Sequence, residues 1–375
     1  METTERERLK EVASVFFKLG CISFGGPAVH ISMMEDEIVK KRKWISTQHF
    51  LDLIGATNII PGPNSTEMTM HCGYERAGVK GLFVAGFCFI FPAVIITGFL
   101  AYLYQEYGQL PEVEPFIYGI KPAVIAIILM AAFRLGKKAV KNTTLAVIGI
   151  LTLLVCFLGV NEIIALFGAG LIGFLIYKFK KNSTSVNSFI PLIILQIEEY
   201  AKLENIKILL VFLKIGAILY GSGYVLFAFL DAELVANGWM SRQALVDAIA
   251  VGQFTPGPVL STATFVGWQL GGFAGAIAAT AGIFLPSFIF VLILNPLVPK
   301  MRKSEWISAV LDAINVAAVA LILYICIKIG QETLLDWRTI LIAIISLITV
   351  FYFNKLNSAY IVLGGALLGY ILLLI

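Results

Sequence analysis

Two tripeptides of one kind punctuate this sequence. Pro61-Gly62-Pro63 runs into Asn64, Ser65, Thr66 and Glu67, and Pro256-Gly257-Pro258 is preceded by Thr255 and followed by Ser261 and Thr262. No α-helix continues through Pro-Gly-Pro, because two backbone N–H groups are missing and the glycine frees the chain. A helix that restarts after such a break presents unpaired N–H groups and the positive end of its dipole, and both favour an anion. The amide of Asn64 and the hydroxyls add donors without adding charge. The chemistry on offer is recognition of a small oxyanion rather than a covalent reaction. Kinks used only for packing are the plainer alternative, and the recurrence at matching positions counts against them.

Other residues could supply charge. Lys18 in "FFKLG" and Lys214 in "FLKIG" stand inside apolar runs, where an ionisable group needs a partner or a cavity. Each could draw in a dianion, pair with a carboxylate such as Glu67, or snorkel to the interface. His30, Glu35 and Glu67 are candidate proton carriers, and His71 follows Glu67 by four residues on the same helix face. His30 aligns with apolar residues of the second half and Glu67 with Thr262, which suits one proton path in one half. The glycine breaks Phe24-Gly25-Gly26-Pro27 and Tyr220-Gly221-Ser222-Gly223 repeat the anion argument more weakly, since glycines also permit close helix contact. Lys121, beside Pro122, aligns with Asn315 and suggests pore lining at most.

The elements that must carry these residues are membrane helices. The chain is 59% hydrophobic and 14% charged, with a mean hydropathy of +0.88. No charged residue occurs between Asp247 and Lys300. Further uncharged runs, 82–104, 143–161 and 356–375, are of the ~20-residue length that crosses a bilayer. The charged N-terminus does not read as a secretory signal. Five scattered cysteines suggest buried apolar positions, neither disulfides nor metal ligands. The net charge of +4 reflects loop bias, not a nucleic-acid partner, and no cofactor is called for.

The chain also aligns with itself. An offset of 196 pairs Lys18 with Lys214, Gly25 with Gly221 and Glu35 with Asp231; 195 pairs the two Pro-Gly-Pro tripeptides; 194 pairs Gly73 with Gly267 and Pro92 with Pro286. The fold expected is an all-α polytopic membrane protein of two homologous repeats, 1–181 and 205–375, joined by a linker at 182–204. Each repeat opens with broken helices at 12–38 and 45–74, or their counterparts, followed by about four spans. The basic loops "KKRK", "RLGKKAVK" and "KFKK" share one side only if the broken segments are re-entrant hairpins. In the second half "PKMRK" follows the long span, which favours inverted repeats. Inversion demands one more crossing in the linker, for which 189–197 is short.

The duplicated "FFKLGCISFGGPAVH" with "MEDE", "GATNIIPGPNS", "FLKIGAILYGSG" and "GQFTPGP" resemble the chromate ion transporter family over nearly the whole chain. The resemblance implies the long, two-domain form of that family and export of chromate driven by the proton gradient or membrane potential. Carried onto matching positions, it points to Gly25, Gly26, Pro27, His30, Glu35 and both Pro-Gly-Pro turns. Its partners would be chromate or a sulfate-like oxyanion, protons or a counter-ion and the bilayer; a homodimer is compatible with it. Three alternatives stay open: a sulfate carrier, an anion channel, and a membrane enzyme acting on lipid-linked phosphate. The enzyme is the weakest, for no His-Glu-x-x-His or phosphate loop is present.

Overall fold

The computed structural model describes residues 4–57, 60–108, 110–181, 204–220, 223–294, 305–353 and 356–374. Its described elements are helical. The first repeat comprises α1 (Glu5–Ile22), α2 (Pro27–Met34) running into a π-helical stretch (Glu35–Lys41), α3 (Thr47–Thr57), α4 (Asn64–Tyr107), α5 (Glu114–Ala139), α6 (Thr143–Phe157) and α7 (Glu162–Lys181). The second comprises α8 (Glu204–Ile218), α9 (Val225–Leu230) with its π-helical stretch (Asp231–Val235), α10 (Arg242–Phe254) and α11 (Thr262–Leu294). It ends with α12 (Glu305–Thr333), α13 (Trp337–Tyr352) and α14 (Ser358–Leu373). The order repeats element for element, down to the π-helical stretch after the second helix. The linker, including 189–197, lies outside the described residues, as does the "PKMRK" segment.

α4 and α11 are each two helices. Ala77 and Gly78 have φ/ψ of −143/23° and 64/−154°, and Gly271 and Gly272 have −149/24° and 60/−149°. The chain therefore turns sharply at equivalent places, between a short half-helix (64–76, or 262–270) and a long span (79–107, or 273–294). Each half-helix folds back on its span through glycines. A methyl group added at Gly73 would strike the Gly81 carbonyl, and one at Gly267 the Gly275 carbonyl.

The broken segments are hairpins that enter and leave on one side. Glu5 pairs with Lys80 at 2.9 Å and Glu11 with Arg76 at 2.6 Å, while deeper along α1 an added Gly20 methyl would lie 2.6 Å from the Phe89 carbonyl. α1 thus runs parallel to the α4 span as far as mid-membrane. α2 returns from the Gly25 break, bringing Trp44 back over Arg76. α3 enters again beside that face, where His49 meets Glu75 at 3.2 Å, and the half-helix of α4 leaves from Pro61-Gly62-Pro63. At 1.5 Å per residue, the 11 residues of α3 reach only about 16 Å, half of the hydrocarbon thickness.

The two long spans pack antiparallel. Near the start of the α4 span Phe83 stacks on Phe288, near the end of the α11 span; Gln105, at the far end, accepts from Trp268 Nε1 at 2.7 Å. Lys141 bonds Asp312 and Tyr177 bonds Glu305 at one face; Tyr118 bonds Asp336 and Lys121 bonds Gln243 at the other. The repeats are inverted with respect to each other, as loop charge suggested. The face carrying the basic loops of the first repeat is the cytoplasmic one by the positive-inside rule. The closing helices interlock: α5 packs against α12, α13 and α14, and α12 packs against α6 and α7. By length and apolar composition, five of the described helices suffice to cross a membrane.

Candidate functional site

The first Pro-Gly-Pro is buried just beyond the end of α3, whose length reaches about halfway across the hydrocarbon. Gly62 has φ +140°, which favours glycine, and its N–H donates to the Leu219 carbonyl of the second repeat at 2.6 Å. A methyl group at Gly62 would collide with Glu67 Oε1 and come within 2.5 Å of Ser287 Oγ. Both oxygens therefore crowd the same side of the turn, one from each repeat. Glu67, Thr66 and Ser287 are fully buried. Their side-chain oxygens have no hydrogen-bond partner among the described residues. Buried polar atoms are paired in nearly all folded proteins, so three orphans around one helix break mark a place built for something else. Asn64 opens the half-helix, and Ser65 accepts the Thr69 hydroxyl on its carbonyl at 3.0 Å.

The second turn has the same backbone and different chemistry. Gly257 has φ +86°, and its N–H donates to the Ser23 carbonyl at 2.8 Å. A methyl there would lie 2.9 Å from Ala93 Cβ. Ala93 stands where Ser287 stands in the other copy, and Thr262 where Glu67 stands. The hydroxyls around Pro256 and Pro258 are satisfied: Thr255 donates to Gly252 at 3.2 Å and Thr262 to Val259 at 2.8 Å, while Ser261 Oγ accepts from Thr97 at 3.2 Å. Each turn is docked on the helix break of the opposite repeat, so neither touches the membrane alone.

The other expected residues divide by location. Gly25 has φ +114° at the α1–α2 break, and Gly26 precedes Pro27 at the α2 start. His30 is buried, with Nε2 3.1 Å from the Ser23 carbonyl that also takes the Gly257 amide. His71 is buried one turn beyond Glu67. Glu35 lies at the cytoplasmic end of the hairpin beside Lys40, 3.6 Å away. Lys214 is held by Glu233 at 2.7 Å, and Lys18 is exposed on α1 with its charge acting on Glu37, the counterpart of Glu233. Ser222 lies outside the described residues.

Three groups escaped the sequence reading. Ser287 follows Pro286, the counterpart of Pro92, and a lone serine in an uncharged span carries no signal of its own. Tyr224 O–H, 3.8 Å from where a Gly26 methyl would be, donates to Gln253 Oε1 at 3.4 Å, just ahead of the second turn. Asp247 accepts the Tyr104 hydroxyl at 2.6 Å and lies 3.3 Å from Lys121, joining α10 to α4 and α5. Lys121 also donates to Gln243 Oε1 at 2.8 Å.

The chromate transporter family model matches residues 10–174 and again 206–370. A probable chromate transport protein of Synechococcus elongatus is 30% identical across 97% of this chain and 95% of its own length. Chromate transport proteins of Cupriavidus metallidurans and Pseudomonas aeruginosa are 28% and 29% identical, covering 98% and 95% of this chain and 94% and 90% of their own. No solved structure matches. With two interlocked copies of one repeat, hairpins broken at mid-membrane and a family match over both copies, the chain is a multi-pass membrane transporter, not an enzyme, and belongs to the chromate transporter family.

Proposed function

We propose that this protein exports a small tetrahedral oxyanion, chromate first among them, under the membrane potential or the proton gradient. The anion is held at mid-membrane between the half-helices that begin after Pro63 and Pro258, and the repeats 1–181 and 205–375 rock around it. The observation that carries this reading is the pair of buried breaks, each locked to the opposite repeat through a glycine N–H. Half-helix N-termini at the midplane, with Asn64, Ser65 and Thr66 at the first and Ser261 and Thr262 at the second, offer backbone donors and positive dipole ends to an anion that has lost its water. The relatives named as chromate transport proteins support the choice of anion. The lysines are not needed for it.

Sulfate is a dianion of nearly the same shape, and donors of this kind do not separate the two by charge. Sulfate transport through the same site is the second reading. Replacing Pro61-Gly62-Pro63 by three alanines should abolish chromate efflux while folded protein remains in the membrane. Undiminished efflux in that variant ends the proposal. Competition between labelled chromate, sulfate and molybdate in oriented vesicles, with and without an ionophore, sets the anion, the direction and the driving force. Flux that ignores both imposed gradients and saturation would make the protein a channel.

A further inference from the structure

Resting on the anion site just proposed, we infer that Glu67, Ser287 and Thr66 form a proton site shared by the two repeats, whose proton binds together with the oxyanion. The two turns are built on one backbone plan but differ in what surrounds them. Around the second, every hydroxyl named above is paired and Thr262 stands in place of the carboxyl. Around the first, a fully buried carboxyl and the Ser287 hydroxyl stand unpartnered against Gly62, and the next residue back from Glu67, Thr66, adds a second buried, unpartnered hydroxyl. Leaving such groups unpaired is costly, and an ionised carboxylate most of all. A proton, with a water bridging to Ser287, fits them; a dianion alone does not.

The sign of the coupling follows from position. Glu67 is in the first turn of the half-helix whose N-terminus faces the anion. Ionised, it places a negative charge where a second negative charge must arrive, and the low dielectric makes that repulsion large. Protonated, it leaves the N–H groups and hydroxyls to the anion. A proton on Glu67 therefore raises anion affinity, and by reciprocity the anion raises proton affinity at Glu67. The neighbouring groups do not change this sign. His71 lies one turn on, Tyr220 comes from the loop after α8, and His30 faces Phe89 from α2. On the remaining packed elements Glu11, Glu5 and Asp247 are held by Arg76, Lys80 and Lys121, His49 by Glu75, while Asp52 of α3 is part-exposed. Proton and anion then move in the same direction. A dianion with one proton still carries net negative charge, so export runs on an inside-negative potential and against the pH gradient.

The test uses the purified full-length protein in weakly buffered, mildly alkaline detergent solution with chromate as the probe. Chromate binding is read by calorimetry and proton exchange by an indicator dye. Uptake of about one proton per chromate bound is expected, with affinity falling about tenfold for each pH unit of further alkalinity. Glu67→Gln, which imitates the protonated acid, should bind chromate with no proton uptake and no pH dependence. Ser287→Ala should keep the uptake but shift the pH at which it occurs. Binding with no proton change, or with proton release, overturns the shared proton site. Wild type that binds no chromate, or binding that survives three alanines at 61–63, overturns the anion site beneath it. The wild-type measurement decides the coupling even where Glu67→Gln does not fold.

Discussion

The Gly62 amide donates across the repeat boundary to the Leu219 carbonyl at 2.6 Å. Its counterpart, Gly257, donates to Ser23, the residue equivalent to Leu219, at 2.8 Å. One hydrogen bond and its image thus clasp the two repeats at mid-membrane. The hairpins cannot be described as separate units, because each break is completed by the other copy. A pseudo-twofold axis lying in the membrane plane gives this reciprocity together with the antiparallel spans.

Alanine at Gly62 or Gly257 tests the clasp. Gly62→Ala meets both a forbidden backbone region and the Glu67 and Ser287 oxygens, whereas Gly257→Ala meets a methyl of Ala93. Each should lose about 1–3 kcal/mol from backbone strain, and Gly62→Ala should lose transport as well. Melting in detergent and vesicle flux check the two parts separately.

The turns at Gly78 and Gly272 adopt nearly identical backbone angles in a region that is essentially reserved for glycine, with open space beside each Cα. Alanine at either position should lower stability by about 1–3 kcal/mol, and by similar amounts at the two. A thermal-shift series comparing Gly78→Ala with Gly272→Ala is sufficient; a large difference between them contradicts the equivalence of the turns.

Arg242 ties the second repeat's first hairpin to α12. Its guanidinium bonds Asp231 at 2.7 Å and also pairs with Glu332. At the equivalent sites of the first repeat stand Thr47 and Lys138, which cannot form this link. A double-mutant cycle over Arg242→Ala and Glu332→Ala should give a coupling of about 1 kcal/mol, since Glu332 is part-exposed. The same single variants should loosen the extracellular side, read as faster labelling of a cysteine placed near Gln243.

Asp336 caps α13 by accepting from the Arg338 and Thr339 amides at 2.8 and 2.9 Å, and it takes the Tyr118 hydroxyl at 2.5 Å. The Tyr118 bond first, and then the amides, hold its carboxyl below the usual carboxylate range. Because the folded-state value is lowered, the stabilisation is complete above the unfolded value and is lost as pH falls through the folded one. Asp336→Ala should cost about 1 kcal/mol near neutrality, and the gap from wild type should close in strong acid. Melting temperature against pH measures both.

Much of this architecture is legible in the sequence. The duplication, the re-entrant hairpins and their inversion could be read from apolar run lengths, from Pro and Gly positions and from Lys and Arg placement, because the bilayer restricts helix length and loop charge so narrowly. The roles of Lys18 and Lys214 were less legible. An apolar run around a lysine does not reveal that Glu233, nineteen residues beyond Lys214, will take it. Ser287 was invisible for a related reason. A serine in an uncharged span acquires meaning only when another repeat sets a carboxyl against it.

By itself the sequence determined that two copies of a broken-helix unit cross a membrane, and that each copy has a helix end able to face an anion. Those properties are local, arising from proline, glycine, hydropathy and charge along the chain. Only the tertiary structure decided that each break is completed by the other repeat, that the first turn carries unpaired acid and hydroxyl groups, and that the hydroxyls of the second are paired. Such pairings join residues about two hundred positions apart, and nothing in local propensity or periodicity carries information over that separation.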